Sequence, residues 1–185
     1  MISHKYKCIF IHIPKTGGTS IENALLGGKK QPTRIKHKRA KDYLKQYPKE
    51  WKQYFKFTVI RNPWDWMVSW YYWRGQNSKT SIKEFLTNYR LVHKKNSNYL
   101  PKKIDAVSYL TINNNLAVDY VCKFENLQED FNTVCDKIGI PRRQLPHKNK
   151  TKHKHYTEYY NDETRKLVAK KYAKDIEYFG YKFGE

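Results

Sequence analysis

A lysine, two glycines and three hydroxyl residues stand together near the start of the chain, where an apolar run gives way to polar residues. Residues 14–20, which we call the glycine turn, read Pro-Lys-Thr-Gly-Gly-Thr-Ser. Glycines let several backbone N–H groups surround one anion, and the start of a helix adds the positive end of its dipole. Lys15 adds a mobile positive charge, and Thr19 or Ser20 can cap the helix. The pattern predicts a phosphate-binding site.

The elements around this turn follow from the apolar pattern. Residues 8–13 are short, rich in β-branched side chains and apolar on both alternating faces, which predicts a strand of a parallel sheet covered by helices. Pro14 cannot donate to a strand ladder and should end the strand. A helix through Ile21 and Leu25 then follows the glycines. The pattern thus places Lys15 between a buried strand and a helix start.

A second junction of the same kind follows the apolar residues 55–60. Asn62 is a good helix cap, and the proline after it suits a first helical position. Ligands of open parallel sheets bind at the carboxyl ends of the strands, so Arg61 is expected on the same edge as Lys15. Ser69 lies nearly two turns into this second helix.

The two junctions together resemble the sulfotransferase family. Its loop P-K-T/S-G-[GT]-[ST]-[ST], which grips the 5′-phosphosulfate of PAPS (3′-phosphoadenosine 5′-phosphosulfate), matches residues 14–20 without a gap. Its second motif, R-x-P-x-x-[RY]-x-x-S, whose arginine and serine hold the 3′-phosphate, matches Arg61 and Ser69. Trp66 stands where the family usually has arginine. Whatever that arginine contributes in relatives is absent here or comes from another residue such as Arg74.

The resemblance spans most of the chain and implies one sulfotransferase domain, 1–185. The implied fold is α/β and P-loop-like, with three layers and a central parallel sheet flanked by helices. The implied reaction moves the sulfuryl group of PAPS to a hydroxyl or amine of an acceptor. The desulfated nucleotide PAP (3′-phosphoadenosine 5′-phosphate) is its product. Relatives related to heparan sulfate O-sulfotransferases close a late basic loop over the nucleotide. The implied PAPS-binding residues are Lys15, Thr16, Gly17, Gly18, Thr19, Ser20, Arg61, Ser69, Thr151 and Lys152.

Two of the residues are expected to be catalytic. Lys15 is placed to stabilise charge on the departing phosphate. His37 is the expected base, because imidazole titrates near neutrality, because it follows a predicted strand at residues 33–36, and because similar family members carry a histidine there. His12 competes for this role, but it lies in the first strand and is expected to be a hydrogen-bonded core residue. No metal is implied.

The charge of the chain predicts an anionic partner. The 185 residues include 37 Lys and Arg against 17 Asp and Glu, a formal net charge of +20. Such an excess attracts acidic glycans, nucleic acids, acidic membranes and polyphosphorylated nucleotides without choosing among them. The acceptor is expected to be an anionic glycan or another carbohydrate, or a small hydroxylated molecule. The sequence does not indicate the oligomeric state.

Two other classes of protein remain open. A P-loop nucleotide kinase or NTPase would carry its lysine after the glycines and an aspartate at a strand end for Mg²⁺, and neither pattern is present. A basic nucleic-acid-binding module would use the charge and the aromatic residues, but zinc-finger and RNA-recognition signatures are missing, so no specific nucleic acid is expected.

The rest of the pattern bears on location and on element order. No room for a signal peptide precedes the first strand, and no apolar run reaches the ~18 residues of a membrane span, which predicts a cytoplasmic protein with three free, buried cysteines. Further expected elements are helices at 40–46, 49–54, 82–89, 128–138 and 162–178, and strands at 107–111 and 116–124 around an Asn-rich turn.

Overall fold

We describe the protein from a computed structural model that covers residues 1–27, 37–74, 81–87, 105–146 and 154–185. Two short 3₁₀ helices lie at Phe124–Asn126 and Tyr156–Tyr159. The other elements, in chain order, are β1 (Ile2–Ser3), β2 (Cys8–Ile11), α1 (Gly18–Leu26), α2 (Ala40–Gln46), α3 (Pro48–Gln53), β3 (Phe55–Ile60), α4 (Pro63–Arg74), α5 (Ile82–Thr87), α6 (Ala106–Leu110), β4 (Thr111–Ile112), β5 (Asn115–Leu116), β6 (Tyr120–Lys123), α7 (Leu127–Lys137), α8 (Asp162–Lys171) and α9 (Ala173–Phe179).

The fold is mixed α/β, with a central, mostly parallel sheet flanked by helices. The strand order is β1-β2-β3-β6, in which β2, β3 and β6 run parallel and β1 is an antiparallel edge strand. Ile11 of β2 pairs with Thr58 of β3, and Ile60 of β3 pairs with Lys123 of β6. The residues that follow these three strands therefore meet at one edge of the sheet.

The four residues of β2 are all buried, which is the reason for their uniformly apolar character. Helices α1 and α7 pack on one face of the sheet through side chains spaced three or four residues apart. Burying each large aliphatic or aromatic side chain contributes about 1.5–3 kcal/mol. The hydrophobic core between this face and the two helices contains Met1, Cys8, Phe10, Ile21, Leu25, Phe57, Val59, Cys122, Phe131, Val134, Cys135 and Leu145.

The chain divides into two compact units, one formed by Met1–Arg61 with Ala106–Asn149 and the other by Asn62–Asp105 with Lys150–Glu185. The first unit holds the sheet. In the second, the Asn62 side chain accepts a hydrogen bond from the Trp64 N–H at 3.1 Å and donates one to the Lys182 carbonyl at 2.9 Å. Asn62 thus caps α4 as predicted and also ties it to the C-terminal segment.

Several local expectations are wrong. Residues 107–111 lie mainly in α6, because a short apolar run fits a buried helix as well as a strand. The predicted helix 162–178 is two helices, interrupted at Tyr172, whose φ of −109° and ψ of 25° leave the helical range. The hairpin turn is present, with Asn113 and Asn114 in the left-handed region. The predicted strand at 33–36 lies outside the described residues.

Other expectations are confirmed. Cys8, Cys122 and Cys135 are buried and free, and residues 120–123 of the predicted 116–124 strand join the main sheet as β6. Across the described parts of the chain, no helix combines the length and the apolar composition that crossing a membrane requires.

Candidate functional site

The glycine turn connects the carboxyl end of β2 to the start of α1. Its backbone enters the left-handed region twice, at Lys15 with φ 67° and at Gly17 with φ 80°. This conformation costs a non-glycine residue such as Lys15 about 1–2 kcal/mol. Gly17 is the N-cap of α1, so the expected cap at Thr19 or Ser20 is wrong. The reason is that the left-handed Gly17 lets the helix begin at Gly18.

Two of the three hydroxyl groups of the turn donate hydrogen bonds within the protein. Thr16 donates its Oγ1–H to the Ile13 carbonyl at 2.8 Å, and Ser20 donates its Oγ–H to the Pro146 carbonyl at 2.8 Å. These bonds fix both ends of the turn. The Ser20 N–H donates to the Gly17 carbonyl at 2.9 Å. Because the first N–H groups of a helix have no acceptor within that helix, the amides of Gly18 and Thr19 are the donors that the turn offers to an anion.

Both glycines lie against neighbouring side chains. A Cβ at Gly17 would lie 2.9 Å from Cδ2 of Leu127 and 3.1 Å from the Phe124 ring. A Cβ at Gly18 would lie 2.9 Å from Cγ of His12 and closer still to Cδ2 and Nε2. The turn therefore has room for backbone only, and a substitution at either position must displace a neighbour.

Replacing Gly18 with alanine is expected to lower the melting temperature, because the added methyl group collides with the buried His12 ring. Overpacking of this kind costs about 1–3 kcal/mol. Gly27→Ala measures backbone strain without any collision, since Gly27 has φ 60° but nothing within 4 Å of a built Cβ, and it should cost about 1–2 kcal/mol from its left-handed conformation alone. Thermal unfolding of both variants checks the prediction, which fails if Gly18→Ala is as stable as the unmodified protein.

Lys15 is held as an unusually acidic lysine. Burial and, to a smaller extent, the nearby positive charge of Arg61 together lower its pKa from 10.5 to about 8. Two cations are thus brought close together on a partly desolvated turn. An anion between or beside them would relieve their repulsion, so the local electrostatics favour binding of a negatively charged group.

Arg61 reaches the turn from the end of β3. Its Nη1 donates a hydrogen bond to the Lys15 carbonyl at 3.1 Å, and its guanidinium lies 3.9 Å from the centroid of the Phe124 ring. Phe124 itself follows β6. The three adjacent strands β2, β3 and β6 therefore deliver Lys15, Arg61 and Phe124 to one place, and Arg61 holds the left-handed Lys15 backbone in position.

His37 contacts His12, which lies two residues before the start of the turn. Its Nδ1 lies 3.1 Å from the His12 carbonyl, and the centroids of the two imidazole rings are 4.5 Å apart in an edge-to-face arrangement. A carbonyl oxygen only accepts, so Nδ1 of His37 carries the hydrogen. In the neutral ring the lone pair is then on Nε2, the nitrogen that can act as a base.

His12 is a buried core histidine, as the sequence indicates. Only 4 % of its surface is exposed, and its Nδ1 lies 2.9 Å from Oε1 of Glu22, which is 6 % exposed. Sequence reasoning missed Glu22, because a single acid inside a helix resembles a solvated residue. It also missed Phe124 as a platform for Arg61, since residues 61 and 124 are distant in the chain.

Ser69 lies in the second unit, in α4, where it is 7 % exposed. Trp66, at the position of the usual family arginine, is also buried there and packs edge-to-face on Tyr172 at 5.5 Å. Thr151 and Lys152 lie outside the described residues. The first unit accordingly brings Arg61 onto the glycine turn, and it places His37 against His12, close to the start of that turn.

Comparison with known proteins identifies a matching family. A family model described as "Sulfotransferase family" matches residues 1–182, which is nearly the whole chain. Neither a curated protein nor a solved structure matches the chain significantly.

Proposed function

The chain belongs to the sulfotransferase family, and we propose that it transfers the sulfuryl group of PAPS to a hydroxyl or amine of an acceptor. The observation that carries this proposal is the convergence of Lys15 and Arg61 on a glycine turn at a helix N-terminus. The turn offers backbone donors, a helix dipole and two cations to one anion.

The residues of the turn fit the 5′-phosphosulfate of PAPS. Gly17 and Gly18 pack directly against neighbouring side chains, and the left-handed Gly17 lets α1 begin at Gly18, which directs the first amides of the helix toward one anion. PAPS supplies an activated sulfuryl group whose leaving group is the 5′-phosphate of PAP. The role proposed for Lys15 is to balance the negative charge that grows on that phosphate.

His37 is the proposed base. The acceptor's hydroxyl proton moves to Nε2 of His37 as the acceptor oxygen bonds to sulfur and the bond from sulfur to the phosphate oxygen breaks. The Nδ1–H of His37 keeps its bond to the His12 carbonyl and so stabilises the imidazolium that forms. Such positioned proton transfer contributes about 10²–10⁴ in rate.

Family resemblance supports a second contact with the nucleotide. In the proposal, Arg61 and Ser69 hold the 3′-phosphate, and Thr151 and Lys152 close over the bound nucleotide. Arg61 donates to the Lys15 carbonyl, and the five N–H donors of a guanidinium can contact more than one acceptor at once. The net charge of +20 favours an anionic glycan as acceptor over a neutral small molecule.

The product PAP is expected to stabilise the protein against heat more than ATP or AMP does. A ligand at 100 times its Kd adds about 2.7 kcal/mol to the free energy of unfolding. The measurement is a thermal-shift comparison at equal concentrations and constant ionic strength. Equal shifts for PAP and AMP would remove the 3′-phosphate from the proposal, and a larger shift with ATP would favour the kinase or NTPase alternative.

A further inference from the structure

The buried pair of side chains His12–Glu22 lies beneath the glycine turn, and neither side chain has a part in the chemistry proposed above. Its side chains are only 5 % and 7 % exposed, and they meet at 2.9 Å. A buried pair of this kind adds little net stability, because the cost of removing both groups from water offsets their attraction. Two apolar side chains of similar size would serve a purely structural purpose equally well.

His12 contacts two parts of the proposed machinery at once. Its carbonyl accepts the hydrogen bond from Nδ1 of His37, and its ring lies against the ring of His37. The Cδ2 and Nε2 edge of the same ring faces Gly18, at the start of α1. Any rotation of this imidazole therefore reaches both the base and the turn.

Glu22 determines how that imidazole is oriented. A carboxylate only accepts, so Nδ1 of His12 carries the hydrogen in the bond to Oε1. Phe10 packs on the ring with centroids 5.4 Å apart and planes 24° apart, which restricts the ring to one plane. The hydrogen bond then selects one of the two ring orientations within that plane.

We propose that His12 and Glu22 are positioning residues, which act on the reaction by holding His37 in one geometry. This inference rests on the proposed function. Glu22 fixes the ring of His12, and the fixed ring and the carbonyl of His12 orient His37 so that its Nε2 serves as the base. A base displaced by about 1 Å can cost about 10²-fold in rate.

The test compares Glu22→Leu, which removes the acceptor for His12, with Glu22→Gln, which retains an oxygen at the same reach. Glu22→Leu is expected to lower kcat tenfold or more and to change the Kd for PAP less than threefold. Glu22→Gln is expected to stay within threefold of the unmodified kcat. His12→Asn keeps a donor near the position of Nδ1 but removes the ring, and it should also lose kcat at least tenfold.

A matched control separates positioning from general destabilisation. Thr58→Val removes an equally buried hydrogen bond, the 2.8 Å bond to the Ile11 carbonyl, from the same sheet. This variant should keep kcat within threefold even where its melting temperature falls as far as that of Glu22→Leu. A parallel loss of kcat in Thr58→Val and Glu22→Leu overturns the inference.

A second measurement does not depend on turnover. Nitrogen NMR of the imidazole groups should show His37 with its hydrogen on Nδ1 in the unmodified protein and a mixture of tautomers in Glu22→Leu, with signals assigned through His37→Ala. An unchanged tautomer of His37 together with an unchanged kcat in Glu22→Leu overturns the inference about His12 and Glu22 and leaves the proposed function intact. If the unmodified protein neither binds PAP nor transfers a sulfuryl group, the proposed function fails, and the inference about its base fails with it.

Discussion

Replacing Lys15 with alanine is expected to lower the rate of sulfuryl transfer by about 10²–10³-fold, the usual loss when one preorganised group that stabilises transition-state charge is removed. Lys15 is partly buried beside Arg61, where an uncompensated charge on the leaving phosphate would be costly. Its ammonium group is the mobile cation that the turn provides. Single-turnover and steady-state kinetics with PAPS check the prediction, once an acceptor has been identified from a panel of glycans and small alcohols.

The control for this change is Lys7→Ala. Lys7 is also a lysine in the left-handed region, with φ 46°, but it precedes β2, whereas Lys15 follows it. The two substitutions therefore remove the same charge from the same backbone conformation at opposite ends of one strand. A loss of similar size in both variants would mean that Lys15 acts through the overall charge, and a loss of less than threefold in Lys15→Ala would remove its proposed role.

The pH dependence of PAP binding provides a second readout for Lys15. Its pKa is about 8 in the ligand-free protein, so the lysine loses its charge as the pH rises through 8. A bound anion raises this pKa again, and binding at pH 8 must therefore take up about half a proton per molecule, because about half of the lysines are already protonated at that pH. Affinity for PAP should fall between pH 7 and pH 10, and calorimetry in buffers of different ionisation enthalpy should detect the uptake. Lys15→Ala should lack this component.

The strands and junctions could be predicted because their signals are local. An apolar run followed by Pro14 marks the end of β2, and an Asn-Pro pair marks the start of α4, so each boundary depends on residues adjacent in the chain. The pairing of β2 with β3 then follows from the preference of buried apolar strands for parallel sheets. This reasoning correctly brought Arg61 to the same sheet edge as Lys15.

The contacts that orient the site could not be predicted in the same way. The bond between His12 and Glu22 joins a strand end to the buried face of a helix, and nothing in their spacing of ten residues specifies it. The stacking of Arg61 on Phe124 depends on β6 pairing with β3, a long-range choice. The cap of α1 is at Gly17 because of left-handed backbone geometry, which a serine or threonine pattern does not reveal.

Lys15 is assigned from a local sequence signal, whereas the role of His37 depends on a long-range contact and is therefore tested by mutation. The glycine turn is a continuous motif, whereas His37 is assigned from its position after a predicted strand that lies outside the described residues. The structure adds the bond from its Nδ1 to the His12 carbonyl and a left-handed φ of 65°. Such backbone strain in a non-glycine residue is found at functional sites, and it points from the geometry toward a role.

Replacing His37 with alanine is therefore expected to lower kcat by about 10²–10⁴-fold while the Kd for PAP changes less than threefold, because the base acts on the acceptor and not on the nucleotide. His4→Ala is the matched control, since His4 is an exposed histidine whose Nδ1 lies 3.0 Å from the Tyr54 hydroxyl. Added imidazole should partly restore turnover to His37→Ala, because a free base can enter the space left by the side chain. Full activity in His37→Ala would exclude His37 as the base, and equal losses of kcat and PAP affinity would make it a residue of the nucleotide site.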